Sequence, residues 1–292
     1  MTHRKVVRSD ASTSVKKKRG ETATNKNEAA TMTTTEAFHR FRRAPIWEGG
    51  SVAKGTKGVT IQQAQRRRKD STRTLLSQLT SKSSFVRAQA AERIGLSGDP
   101  RGISSLEQRL TDRSSEVRMR AVEALGRLTN GSHKALATAL QDADELVRLQ
   151  AAESIAARAD RRTVSTLRVA LGDASALVRS YAAAALGRVG TRADRALLRT
   201  RLRRETSDAA RLGFLEGLWL LGDRTVLGSA IGLLDSHDYR VRCATARALG
   251  GTLRNLRTQD AINAALQARL RRERTNAVRQ ALVESLSTDQ KN

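Results

Sequence analysis

The chain has 292 residues with 54 Lys/Arg against 29 Asp/Glu, a formal net charge of +25, and a single cysteine, Cys243. One cysteine excludes a disulfide framework and a Cys-rich metal site and fits a reducing compartment, and no run approaches the roughly 18 apolar residues that a membrane span needs. The length suits one large domain or two modest ones, and the charge points to polyanions as partners without specifying a fold.

The charge is unevenly placed. Residues 1–80 hold 18 Lys/Arg and 6 Asp/Glu, a net of +12, whereas residues 81–292 hold 36 and 23, a net of +13 over more than twice the length. Residues 1–70 are rich in Ser, Thr, Lys and Asn and poor in large apolar side chains, so a disordered basic tail is expected there. Its N-terminus lacks an apolar h-region, and Glu21, Glu28, Glu36 and Glu48 count against an organelle transit peptide. Two runs are candidates for polyanion contact: Lys16, Lys17, Lys18 and Arg19, then Arg66, Arg67, Arg68 and Lys69. In a eukaryotic host either run could serve as a nuclear signal; otherwise a cytoplasmic location is expected. Within residues 37–50, Phe38, Phe41 and Trp47 interleave with Arg40, Arg42 and Arg43. Such a segment either packs on the folded domain or acts as a short linear motif that docks on a partner or stacks on bases.

The folded domain is expected over 71–292, where the chain repeats itself. Val86-Arg87, Val117-Arg118, Val147-Arg148, Val178-Arg179, Ala210-Arg211, Val241-Arg242 and Val278-Arg279 recur at spacings of 31, 30, 31, 32, 31 and 37 residues. A fixed period in this range is the mark of a solenoid. Each unit carries two amphipathic stretches of helical period, such as Ile103, Leu106 and Leu110, then the stretch from Val117 to Leu125. Turns such as TDRSSE (111–116) and QDADE (141–145) supply the Asp and Ser that start helices. Gly95, Gly126, Gly187 and Gly250 fall near the ends of second helices, where a C-terminal cap is expected. The fifth unit departs from the pattern: Phe214 and Leu215 replace small residues and Trp219 is added, so the stack should widen or bend there. The seventh, with a longer link over 251–261 and a polar end, reads as a terminal cap.

The segments VRAQAAERIG (86–95), VRMRAVEALG (117–126), VRLQAAESIA (147–156), VRSYAAAALG (178–187) and VRCATARALG (241–250), with the turn Gly98-Asp99-Pro100-Arg101, resemble the HEAT-repeat family, in particular the short type of phycobilin lyases. The resemblance covers residues 72–287. It implies an all-α fold, a right-handed α-solenoid of about seven helix hairpins, and it places the second helices on the partner-binding side. It does not select a function, since such repeats serve chromophore lyases, hydroxylases, nucleic-acid enzymes and scaffolds.

Helix arithmetic sorts the charges of SEVRMRAVEALGRL (115–128). At about 100° per residue from Val117, the apolar stripe centres near about 65°, Arg118 falls inside it at about 100°, and Glu123 lies opposite at about 240°. The Val-Arg arginine is therefore expected between packed repeats, where an unpaired charge is costly. Its expected acceptors are Asp112, Asp142 and Asp173, each six residues before Arg118, Arg148 and Arg179, forming a structural ladder. The outward ridge is expected at Met119, Arg120, Glu123 and Arg127; Leu149, Gln150 and Glu153; Tyr181 and Arg188; and Leu212 and Glu216. This ridge is near neutral and is assigned to a protein partner. The positive excess lies on first helices, with Arg199, Arg201, Arg203 and Arg204 the leading polyanion candidates there.

No catalytic constellation is visible. His3, His39, His133 and His237 are scattered, no phosphate-binding Gly-rich loop is present, and no His-Glu dipeptide matches the iron site of the HEAT-type deoxyhypusine hydroxylases. The expectation is a non-enzymatic scaffold with no cofactor and no metal, binding a protein on the ridge while the tail adds polyanion or partner contacts. The alternatives are a nucleic-acid-binding protein using the tail and outer-face arginines, and a phycobilin-lyase-type chromophore attachment protein.

Overall fold

The computed structural model describes residues 71–128 and 132–287. Lys16, Lys17, Lys18, Arg19, Phe38, Phe41, Trp47, Arg66, Arg67, Arg68 and Lys69 therefore lie outside the described residues. Within them, every regular element is helical. A helix over 71–78 (α1) is followed by α2, Ser84–Ser97; α3, Ile103–Gln108; α4, Ser115–Arg127; α5, His133–Ala139; α6, Glu145–Arg158; and α7, Val164–Ala170. Then come α8, Ala176–Val189; α9, Arg192–Leu202; α10, Asp208–Leu220; α11, Leu227–Gly232; α12, Tyr239–Gly250; α13, Gln259–Arg272; and α14, Asn276–Ser287. Odd and even helices pair into seven hairpins among the described residues, an all-α solenoid.

Local chemistry sets the helix starts. Asp99, Asp160 and Asp223 each accept from the backbone N–H two residues on, opening the short 3-10 turns Pro100–Gly102, Arg161–Thr163 and Arg224–Val226 that lead into first helices. Asp144 and Asp238 cap α6 and α12 in the same way, Ser175 caps α8 by accepting from Val178 N three residues on, and Thr191 with Asp194 forms a capping box on α9. The core is two aliphatic columns, Ile94, Leu125, Ile155, Leu186, Leu218 and Leu249 on second helices, and Leu106, Leu136, Leu167, Leu198 and Leu266 on first helices. All are essentially buried, and each contributes about 1.5–3 kcal/mol of transfer free energy.

Neighbouring hairpins meet chiefly through second helices, α2 on α4, α4 on α6, α6 on α8, α8 on α10 and α12 on α14. The glycines expected as caps have a different role. Gly95, Gly126, Gly187 and Gly250 lie inside their helices, and a Cβ at any of them would run into the next second helix: 2.7 Å from Ala124 Cα at Gly95, into Ser154 at Gly126, onto the Gly217 backbone at Gly187, and 2.6 Å from Ser285 Cβ at Gly250. They permit close helix approach. The left-handed cap instead falls three residues later, at Gly98 (φ 68°), Ala159 (φ 49°) and Gly222 (φ 86°).

Trp219 occupies the same position in α10 that those glycines hold in α2, α4, α8 and α12. Its side chain is buried, with the Arg224 guanidinium 4.1 Å from the ring centroid. A ring there cannot admit the next helix, and the contact between α10 and α12 is slight. The widening expected of the fifth hairpin thus lies on its α12 side. On its other side Gly213 and Gly217 press against Ser180 and Ala183, bringing α8 and α10 close together.

Candidate functional site

Two sets of arginines divide the solenoid's polar surface. The first staples the hairpins together. Arg118 donates through Nε and Nη2 to Asp142 Oδ2 and Oδ1, at 2.8 and 2.9 Å, while its Nη1 donates to the Asp112 carbonyl at 2.8 Å. Arg148 does the same with Asp173 and the Asp142 carbonyl. Arg87 uses Asp112, Arg179 uses Glu205 and Arg242 uses Glu273. The expected ladder residues are thus engaged, with one correction. The carboxylate six residues before each arginine offers only its backbone carbonyl; the side chain that accepts belongs to the following hairpin. The reason is that each carboxylate also accepts from the backbone two residues on, as Asp142 does from Asp144 N and Asp173 from Ser175 N, which turns it toward the preceding hairpin.

The electrostatics agree with the geometry. The bond from Arg87 holds the Asp112 carboxyl below the ordinary carboxylate range, and the bond from Arg179 does so for Glu205. At Asp142 and Glu273 burial is the largest influence and pushes upward, yet the arginine and backbone hydrogen bonds outweigh it and leave both lowered. The ladder skips a rung at α10 and resumes with Arg242 and Glu273. Arg211 donates only to the Glu205 carbonyl, and the acidic position of the next turn is Ser236, whose hydroxyl donates to Asp208.

The second-helix ridge also needs correction. Met119, Arg120, Leu149, Gln150 and Leu212, expected to face outward, are buried; Glu123, Glu153, Tyr181 and Glu216 are half-buried, and Arg127 and Arg188 are exposed. A second helix in a stack is flanked on both sides, so its buried arc is wider than one apolar stripe. Arg120 remains charged in this setting because Glu116 and Glu123 take its Nε and Nη1 at 2.9 and 3.0 Å, and Glu123 in turn accepts from Arg127 at 2.9 Å. What this face does expose is a half-buried glutamate on four of the second helices, Glu92 on α2, Glu123 on α4, Glu153 on α6 and Glu216 on α10, and three apolar side chains, Phe85, Leu96 and Leu220. Phe85, 67% exposed, borders a depression between α2 and α4 shared with Gln89, Glu92, Glu116 and Arg120.

The second set of arginines lies on first helices. Arg168 pairs with Asp194 and Arg199 with Asp223, so Arg199 is held by a carboxylate, whereas Arg201, Arg203 and Arg204 are exposed and make no ion pair among the described residues.

Elsewhere the chemistry is quiet. Cys243 is buried and its thiol is pushed up by desolvation, against nucleophilic use. Among the described residues no group of three or more His, Cys, Asp or Glu side chains could hold a metal ion, and no helix is long and apolar enough to cross a membrane. Sequence reasoning missed Phe85 as a site residue, although an aromatic directly before Val86 at the start of the first complete repeat was visible.

A HEAT-repeat profile matches the chain over residues 59–126, 133–218 and 196–287. No curated protein matches it in sequence. Among solved structures, the complex of CpcE and CpcF of phycocyanin lyase from Nostoc sp. PCC7120 is similar at 18% identity and a TM-score of 0.55, over 82% of this chain and 99% of that one. Human deoxyhypusine hydroxylase in complex with glycerol aligns at 19% identity and a TM-score of 0.35, over 89% and 99%. A designed armadillo repeat protein aligns at 19% and 0.38, over 74% and 98%. At such identities the likeness to the lyase complex concerns the fold alone.

Proposed function

Because the chain belongs to the HEAT-repeat family, we propose that it is a repeat scaffold that holds a protein partner on its second-helix face. The observation that carries this reading is the depression between α2 and α4, where an exposed phenylalanine stands beside Glu92 and Glu116. A large aromatic left in water is the usual anchor of a binding surface, and a polar rim gives it direction. Over α2, α4 and α6 the glutamates of the same face recur once per hairpin, Glu92, Glu123 and Glu153, about 10 Å apart at ordinary helix packing distances. Such a surface suits an extended partner with apolar and basic side chains. The aromatic anchor supplies affinity and the carboxylates set orientation.

Affinity capture with the full chain and quantitative mass spectrometry tests this. Phe85→Asp, at an exposed position, and Glu92→Arg, at a carboxylate with no ion pair among the described residues, are expected to deplete the same captured protein at least tenfold without lowering the melting temperature. Recovery of identical proteins by the wild type and both variants would reject the assignment of this face.

A further inference from the structure

Two first-helix arginines, Arg168 on α7 and Arg199 on α9, differ from the ladder arginines in one respect. Arg118, Arg148 and Arg179 spend Nε and both terminal nitrogens inside the stack. Arg168 and Arg199 are tied by Nε alone, at 2.7 Å to Asp194 and 2.6 Å to Asp223. Both carboxylates are only 1% exposed, while the arginines they hold are 45% and 49% exposed. Each guanidinium is therefore fixed from beneath with its terminal nitrogens toward solvent, making no hydrogen bond among the described residues. Equivalent positions on adjacent first helices sit about 10 Å apart.

Around these two, α9 and the turn after it expose Arg192, Arg201, Arg203 and Arg204. Arg201 reaches back toward Gly172, in the turn after α7, and so joins the two rows. The one carboxylate on α7 and α9 is Asp194, which is buried under Arg168. Nothing on this edge neutralises the charge from outside, and the cations are all arginine; among the described residues only Lys82 and Lys134 are lysines.

From this geometry we infer that the α7–α9 edge is a binding surface for the phosphate backbone of a nucleic acid, independent of the second-helix face. A guanidinium held by one nitrogen still presents a planar fork that matches two phosphate oxygens. Preorganising it by a buried carboxylate removes part of the ordering cost of binding. Neither α7 nor α9 carries an aromatic residue, so contact is with phosphate and not with stacked bases, and binding is insensitive to sequence. An anionic membrane fits less well: the large apolar side chain exposed on the edge is Val169 alone, short of the apolar face that interfacial insertion uses.

The test is fluorescence anisotropy of the full chain with a labelled 20-nucleotide single strand and with its duplex, across a salt series, alongside flotation with phosphatidylserine vesicles. The variant R192Q/R201Q/R203Q/R204Q removes exposed, unpaired charges and leaves Arg168 and Arg199 on their carboxylates. The wild type is expected to bind at least one oligonucleotide form with affinity falling steeply in salt. The variant is expected to bind that form at least tenfold more weakly, with a slope of log K against log salt shallower by about 2–4, at an unchanged melting temperature. Equal affinity and slope for the two proteins overturn the inference, as does binding to vesicles without binding to either oligonucleotide. A lowered melting temperature in the variant moves the readout to the single substitution R203Q, for which a reduced slope supports the surface and an unchanged slope overturns it.

Discussion

Arg148 on α6 holds Asp173, in the turn before α8, through two parallel hydrogen bonds of 2.8 and 3.1 Å, while its third nitrogen holds the Asp142 carbonyl at 2.9 Å. One side chain thus ties its own turn to that of the next hairpin. Both partners are mostly buried, so removing one leaves the other without its mate in a site of low dielectric. Arg148→Ala is expected to cost about 2–3 kcal/mol, read by denaturant unfolding. A double-mutant cycle with Asp173→Ala should show coupling above about 1 kcal/mol. If the coupling instead appears only with Asp142→Ala, the pairing has been assigned one hairpin too late.

Glycines at helix contacts should rank by what they touch. At Gly187 an added methyl meets the Gly217 backbone, which cannot move aside, whereas at Gly126 it meets the Ser154 side chain. Gly187→Ala is expected to destabilise by about 2–3 kcal/mol and Gly126→Ala by less, since overpacking costs most where nothing can yield. Thermal melts of the two variants give the order, and a reversed order contradicts the role assigned to these contacts.

Ala159 ends α6 at a φ of 49°, where Gly98 and Gly222 end α2 and α10 at positive φ. A Cβ in this region costs about 1–2 kcal/mol, partly offset by the greater unfolded freedom of glycine. Ala159→Gly should therefore raise stability by about 0.5–1 kcal/mol. Gly98→Ala, in open space but with the same backbone, should lower it by a similar amount.

Acid should loosen the staples. The Asp112, Asp142, Glu205 and Glu273 carboxyls are all held below their ordinary values, and the bond from Arg199 takes Asp223 down to about 2. A carboxylate with a depressed folded pKa contributes stability that is complete above its unfolded value, near 4, and is lost as pH falls through the folded value. The melting temperature is expected to be flat from pH 7 to about 5 and to drop steeply between about pH 4 and 2. Arg87→Ala, which removes the bond that lowers Asp112, should show a shallower acid drop than the wild type.

The slight contact between α10 and α12 coincides with the missing rung at Arg211 and Ser236 and with Trp219 in place of glycine. In a quasi-one-dimensional stack the weakest interface opens first. Native-state hydrogen exchange should report α12 to α14 opening at a lower free energy than α4 to α8. Uniform protection across both groups would contradict this.

The seven hairpins were legible in the sequence because Val-Arg recurs with the period and each helix carries its own apolar stripe. Part of the ladder's membership, Asp112, Asp142 and Asp173 with Arg118, Arg148 and Arg179, was legible for the same reason, whereas Glu205 and Glu273 were not foreseen. Its pairing was not, because Arg118 and Asp142 are 24 residues apart and only packing decides between the turn before and the turn after. The burial of Met119 and Leu149 was hidden because a single helical wheel has one inward side, whereas a stacked helix has neighbours on two more. Trp219 was noticed as unusual, but its effect follows from the glycines at the equivalent positions, whose role was itself misread as capping.

The central claim, that the second-helix face holds a protein partner beside α2 and α4, is tested most directly by placing a photo-crosslinking phenylalanine analogue at Phe85 in the full chain. A matched control places it at Leu256, which is also highly exposed but lies on the link between α12 and α13. Irradiation in the native host is expected to give one discrete protein adduct from position 85 that is missing from position 256. No adduct at 85, or the same adducts from both positions, would contradict the claim.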